Sequence, residues 1–283
     1  MSENLNNSFL SLFDSHFIDE KRDIHKVKIN AIDTLYQNIM NEERISDEDF
    51  RHKWSYIEKL NSLEKSRNLF NIFKRTFQIE KNFENENFSL GNISSDWLLD
   101  FMDKAKNISD NDFSKIWSEI LRTEAEYPGK IPKKLLNVLY LMDKEDVTNI
   151  LFFSRYCFAD GDKKNKSLYH PIMFLKDDYA HYVTFGIKNE LLENLENLGL
   201  IICDYESGYY FSKKKKFFYK DKYIEVIADS KIKAGNVKLT NIGQALMNFI
   251  NVEHSDTILK YTLEKWVENG YIIQVNNEFF PRV

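Results

Sequence analysis

The chain has 283 residues, 43% hydrophobic and 29% charged, which is apolar material for a sizeable core and, at roughly 150 residues per domain, for two domains or lobes. A formal net charge of -5 argues against a protein that coats nucleic acid through a global positive field. With only 9 Gly and 4 Pro against 22 Phe and 15 Tyr, helices joined by short loops are favoured. Cys157 and Cys203 stand far apart in no motif, so no disulfide framework or zinc signature can be read, and a reduced cytoplasmic compartment fits best.

Met1 to Leu12 is Asn- and Ser-rich and lacks a basic segment followed by an apolar one, so it is not a signal peptide. No run of about 18 apolar residues occurs, and no membrane helix is expected. Residues 1 to 18 read as frayed, with Phe9, Leu12, Phe13 and Phe17 available for a short docking helix. From Glu20 to Met40, Ile24, Val27, Ile29, Ile32, Leu35, Tyr36 and Ile39 suit one helix face, with Val27 and Ile29 slightly off register. Ser46 followed by Asp49 reads as a cap. Phe50 to about Phe83 contains no Gly or Pro, and Trp54, Ile57, Leu60, Leu63, Leu69, Ile72, Phe73, Phe77 and Ile79 predict a long amphipathic helix, broken once near Ser62 to Ser66. Its mixed charges suit a helix that projects between domains or pairs with a second copy.

Residues 82 to 93 are a polar interruption and the first boundary candidate. Ser94 or Ser95 then caps Trp97, Leu98, Phe101, Met102 and Ala105. Ser109 with Asp112 predicts a capping box before Phe113, Ile116, Trp117, Ile120 and Leu121, a continuous buried stripe. Pro128-Gly129 makes a turn, Pro132 suits a first helical position, and Asp143 with Asp146 begins another helix. The polar stretch 159 to 167 is the second boundary candidate. Ile187 to Leu198 is helical; short β-rich runs follow, Thr240 caps a helix, Thr257 to Glu268 forms another, and a hairpin around Asn276-Asn277 ends the chain.

The run "DWLLDFMDKAKNISDNDFSKIWSEILRTEAEYPGKIPKKLLNVLYLMDKEDV" resembles the core of an uncharacterised bacterial family, domain of unknown function 2806. The positions that carry the resemblance are Asp96, Trp97, Ser109, Asp110, Trp117, Ile120, Leu121, Glu124, Pro128, Gly129, Leu135 and Leu139, and "LENLGLI" and "VKLTNIGQAL" are similar to the family's downstream region. The resemblance runs from about residue 90 to 250 and brings no activity with it. Similar helical proteins occur among phage-related and abortive-infection genes, which associates the chain with bacterial antiviral defence.

Trp97 and Trp117 are read as core, and Glu119 and Arg122 as solvated. Glu124 stands at a helix end, where the dipole opposes a carboxylate, so it is expected to accept hydrogen bonds from another helix's N-terminus. "DGDKKN" at 160 to 165 lacks the ligands of a calcium loop, with Lys164, Asn165 and Pro171 at positions 5, 6 and 12. No two of His16, His25, His52, His170, His181 and His254 stand four apart on a helix, and no metal site, nucleophile elbow or phosphate loop is read. Lys213, Lys214, Lys215 and Lys216, followed by Phe217, Phe218 and Tyr219, are the best nucleic-acid signal, set against a charged hairpin tip leading into a buried strand.

The expected fold is mainly α: an N-terminal helical region (1–88), a compact helical core (89–160) and a winged-helix-like α+β lobe (161–283). The favoured function is a non-enzymatic interaction module, with a protein partner or self-association, no cofactor and no catalytic residues. Nucleic-acid binding through Lys213 to Lys216 is one alternative, and an enzyme with a dispersed site using Glu119, Glu124 or His170 is the other.

Overall fold

A computed structural model describes residues 24–40, 46–83, 88–161 and 168–279. The expected docking helix in residues 1–18 lies outside the described residues, as do 162–167 of the polar stretch. The chain divides into two compact units, Met1–Ile131 and Pro132–Val283.

The first unit is helical. α1 (Ile24–Met40) and α2 (Asp47–Phe83) form an antiparallel hairpin, with Lys28 paired to Glu64 and with Leu35, Ile57 and Leu60 buried in the seam. Ser46 caps α2: its hydroxyl oxygen accepts the Asp49 N–H at 3.1 Å and the hydroxyl donates to the Asp49 carboxylate at 2.7 Å. No break occurs at Ser62 to Ser66; α2 runs for 37 residues, about 55 Å. A 3-10 turn (Leu90–Asn92) leads to α3 (Ser95–Ala105) and α4 (Asn111–Glu126). Ser94 accepts the Trp97 N–H. Asp110 accepts the Phe113 N–H at 2.9 Å and so caps α4, one residue beyond Ser109; the Asp112 side chain lies outside the described residues.

Aromatic rings fill the core of this unit. Trp97 stacks on Phe101 (5.2 Å), which meets Trp117 (5.3 Å) and the edge of Phe73 from α2. The Trp97 indole donates to the Ile131 carbonyl at 3.0 Å. Small residues let α2 and α4 approach: Ser118 donates to the Ile72 carbonyl and Thr76 to the Ser118 carbonyl.

The second unit opens with α5 (Lys133–Leu141) and α6 (Lys144–Ser154), the latter closed by a reciprocal capping box between Asp143 and Asp146. Pro132 is the residue before α5 rather than its first helical one. There follow β1 (Cys157–Asp160), β2 (Tyr169–Pro171), α7 (Leu175–Thr184), α8 (Asn189–Asn197), β3 (Ile201–Cys203), β4 (Tyr209–Phe211), β5 (Lys214–Tyr219), β6 (Lys222–Ile227), β7 (Ile232–Gly235), β8 (Val237–Leu239), α9 (Asn241–Met247), α10 (Asp256–Glu268), β9 (Ile272–Val275) and β10 (Glu278–Phe279).

The sheet corrects the expectation of a mainly α chain with a winged-helix-like lobe. Six strands join in the order β10-β9-β6-β5-β1-β2, all antiparallel. The β5–β6 pair lies in the interior of this sheet, between β1 and β9, and not as a two-stranded appendage to a helical lobe. The expected strand after α8 does form, but β3 pairs with β8 in a separate two-stranded sheet. One face of the large sheet carries Phe158, Phe217, Ile224, Val226 and Ile273 and packs on Trp266 of α10, whose ring stacks on Phe217 at 5.5 Å. Gly235 is required where β7 passes Met173: its φ is 116°, and a Cβ there would stand 2.0 Å from the Met173 carbonyl oxygen.

Candidate functional site

The segment around Trp117 and Glu124 is packed and internally hydrogen-bonded. Trp97 and Trp117 are buried, and so is the Glu124 carboxylate. Glu124 accepts the Gly129 N–H at 2.6 Å and the Ile131 N–H at 2.9 Å. Both donors come from the Pro128-Gly129 turn that leads toward α5, and Gly129 takes the positive φ (82°) the turn needs. Glu119 and Glu126 both pair with Arg122. Each of the three carboxylates therefore has a partner within the chain.

The basic run is divided by strand alternation. Lys214 and Lys216 share one face of β5 and approach Glu225 of β6 at 3.0 and 3.6 Å. Lys215 points to the other face, where Asp160 of β1 holds it and the Phe211 ring lies beneath it. Lys213 precedes the strand, and its carbonyl accepts the Ala228 N–H. Three of the four lysines therefore already face carboxylates, and a phosphate would have to compete with each.

His170 joins the same group. Its Nε2 lies 3.4 Å from the Asp160 oxygen that Lys215 also contacts, and Phe211 and Phe217 present T-shaped contacts to the ring. Burial first, then Lys215, holds the imidazole below the ordinary histidine range, against the opposing pull of Asp160. This is an ion-paired cluster on the packed face of the sheet. Glu119, Glu124 and His170 do not line either of two clefts found elsewhere. One of about 310 Å³ lies between α2 and the start of α4, lined by Asn68, Asn71, Lys74, Arg75, Gln78 and Ser114 among others. The other, about 550 Å³, lies between α6 and α8 and includes Asp143, Glu145, Asp146, Lys188, Glu190 and Asn194.

A thiol nucleophile needs a depressed pKa. Burial pushes Cys157 up, and burial with Glu196 pushes Cys203 up to about 11. Among the described residues no group of His, Cys, Asp and Glu could hold a metal ion, and no helix is long and apolar enough to cross a membrane.

The feature that packing leaves unexplained is the α1–α2 hairpin. Ile29, Ile32, Tyr36, Phe50 and Trp54 are each 40–55% exposed, and the Phe50 and Trp54 rings stack at 6.3 Å with 7° between planes. Tyr56 and Leu63 are exposed as well. Single exposed apolar residues are ordinary, but a group of this size on one hairpin is a mark of an interaction surface. The sequence pattern puts Ile32, Leu35 and Tyr36 on one helix face, with Ile29 slightly off register; the structure buries Leu35 and leaves Ile29, Ile32 and Tyr36 about half exposed. The available signal was excess: a two-helix seam cannot cover apolar residues spread this far around each helix.

No curated protein and no solved structure matches the chain. The model of a family described as a protein of unknown function, DUF2806, matches residues 53–262, from within α2 to within α10, and so extends well upstream of the motifs that begin near residue 90. On a match over most of its length, the chain belongs to the DUF2806 family.

Proposed function

We propose that the chain is a non-enzymatic protein-interaction module of the bacterial cytoplasm that docks through the α1–α2 hairpin. The observation that supports it is the cluster of Ile29, Ile32, Tyr36, Phe50 and Trp54 in solvent. Tyr and Trp are the residues that anchor interfaces, because they bury much area at little entropic cost. The engaged state of Glu119, Glu124 and His170 favours this reading over an enzyme with a dispersed site. The carboxylates facing Lys214, Lys215 and Lys216 favour it over nucleic-acid binding. A place in antiviral defence is the biological setting the family resemblance suggests.

The test is capture from the native host with tagged wild type and with the Ile32→Asp/Trp54→Asp variant, read by mass spectrometry. Wild type should retain a partner, its own untagged copy included, that the variant loses while keeping its circular dichroism spectrum. Identical sets from both proteins would refute docking through this hairpin.

A further inference from the structure

The exposed apolar residues lie on one side of the hairpin. A helix turns about 100° per residue. Measured from Leu35 in the seam, Ile29, Ile32 and Tyr36 all fall on the same flank of α1. Measured from Ile57 and Leu60, Phe50 and Trp54 fall on one flank of α2, opposite the one that carries Tyr56 and Leu63. Because the helices run antiparallel, the flank of α1 that bears Ile29, Ile32 and Tyr36 and the flank of α2 that bears Phe50 and Trp54 face the same way. The Lys28–Glu64 pair sets the register and brings Tyr36 level with Tyr56, about 3 Å along the axis from Trp54. The five side chains therefore form one strip about 20 Å long, from Ile29 to Phe50.

The charges on the α2 edge of this strip form a pattern that matches itself when reversed. Asp47, Arg51, Glu58 and Lys65 share the flank of Phe50 and Trp54, and their signs alternate; Lys65 also lies close enough to Asp103 of α3 to help hold that carboxylate ionised, so a second copy's Asp47 would share it. Rotation about a two-fold axis near residue 56 sets Asp47 against a second Lys65 and Arg51 against a second Glu58. An isologous interface requires this kind of self-complementarity, whereas an unrelated partner does not. The area is also adequate. Five side chains of about 200 Å² each, roughly half exposed, supply about 900 Å² over two copies. The polar rim brings the total past the roughly 1,000 Å² that a specific interface needs.

We infer that the occupant of this strip is a second copy of the chain, and that two α1–α2 hairpins stack face to face and antiparallel as a four-helix bundle, about a two-fold axis level with residue 56. This rests on the docking function proposed above and names its partner.

The full-length protein can be tested by light scattering across the micromolar range. Wild type should have twice the 33.7 kDa chain mass. Asp47→Lys/Glu58→Lys places four positive charges along the strip and Arg51→Glu/Lys65→Glu four negative ones, so each variant alone should fall two-fold in mass. An equimolar mixture should return to the dimer mass, because every contact across the mixed interface is then of opposite sign. A monomeric wild type, or charge variants that stay dimeric alone, would overturn the inference. If wild type is monomeric but the Ile32→Asp/Trp54→Asp variant still loses a captured protein, docking through the hairpin stands and only the second copy is rejected.

Discussion

The carboxylate of Glu124 receives the backbone N–H of Ile131 at 2.9 Å, across the turn that ends the first compact unit. With Gly129 as its second donor, this one side chain satisfies two amides that the turn takes away from regular structure. An acid at a helix C-terminus is normally opposed by the dipole, and here the two donors offset that cost.

Glu124→Gln keeps the size but replaces one acceptor oxygen with an NH₂ that faces an amide donor. Thermal unfolding of this variant should show a loss of about 1–3 kcal/mol, the cost of a buried group left without its partner. An unchanged melting temperature would remove Glu124 from the list of structural determinants.

The two buried tryptophans should respond differently to Phe. The Trp97 indole donates to the Ile131 carbonyl, whereas the Trp117 indole N–H has no partner among the described residues. Trp97→Phe loses ring volume and a hydrogen bond, and Trp117→Phe loses volume while removing an unsatisfied donor. Urea denaturation should therefore find Trp97→Phe the costlier by about 1 kcal/mol. Trp117→Ala should cost about 3–5 kcal/mol through the cavity it leaves. Equal effects of the two Phe variants would contradict the hydrogen-bond assignment.

Within the basic run, position on the strand sets the cost. Lys215→Ala strips Asp160 of a close cation on the packed face and should destabilise by about 1–3 kcal/mol, while Lys213→Ala should stay within about 0.5 kcal/mol. Replacing all four lysines with Ala should not change the chain's retention on nucleic acid at any salt concentration. A large fall in a binding titration would instead restore the nucleic-acid alternative.

His170 should impose an acid-side loss of stability. Its folded pKa lies below the unfolded value of 6.5, so between the two values the unfolded chain binds the extra proton. Its contribution is complete above pH 6.5 and is lost as pH falls through the interval down to the folded pKa. His170→Gln should flatten that part of the stability profile; an unaltered slope would show that another group carries it.

Much of the local structure was legible in the chain itself. Ser46, Ser94, Asp143, Thr240 and the Pro128-Gly129 turn mark element ends because capping and turn chemistry act within a few residues. The inward packing of Trp97 and Trp117 follows from their spacing among apolar residues. The site was less legible. Ile29, Ile32 and Tyr36 look like core by periodicity, and only the single seam through Leu35, Ile57 and Leu60 shows how much apolar surface one neighbouring helix can cover.

By itself, the sequence determined where helices begin, which residues are apolar and how the turns are made, since these depend on interactions a few residues long. Tertiary structure alone decided that β5 and β6 pair with β1, more than fifty residues earlier, and with β9, more than forty later, rather than standing as a two-stranded appendage. It alone decided that Lys215 finds Asp160 and that the hairpin keeps aromatic rings in water. Strand partners and covered faces are chosen by contacts distant in sequence, and a pattern of alternating residues is equally consistent with several of them.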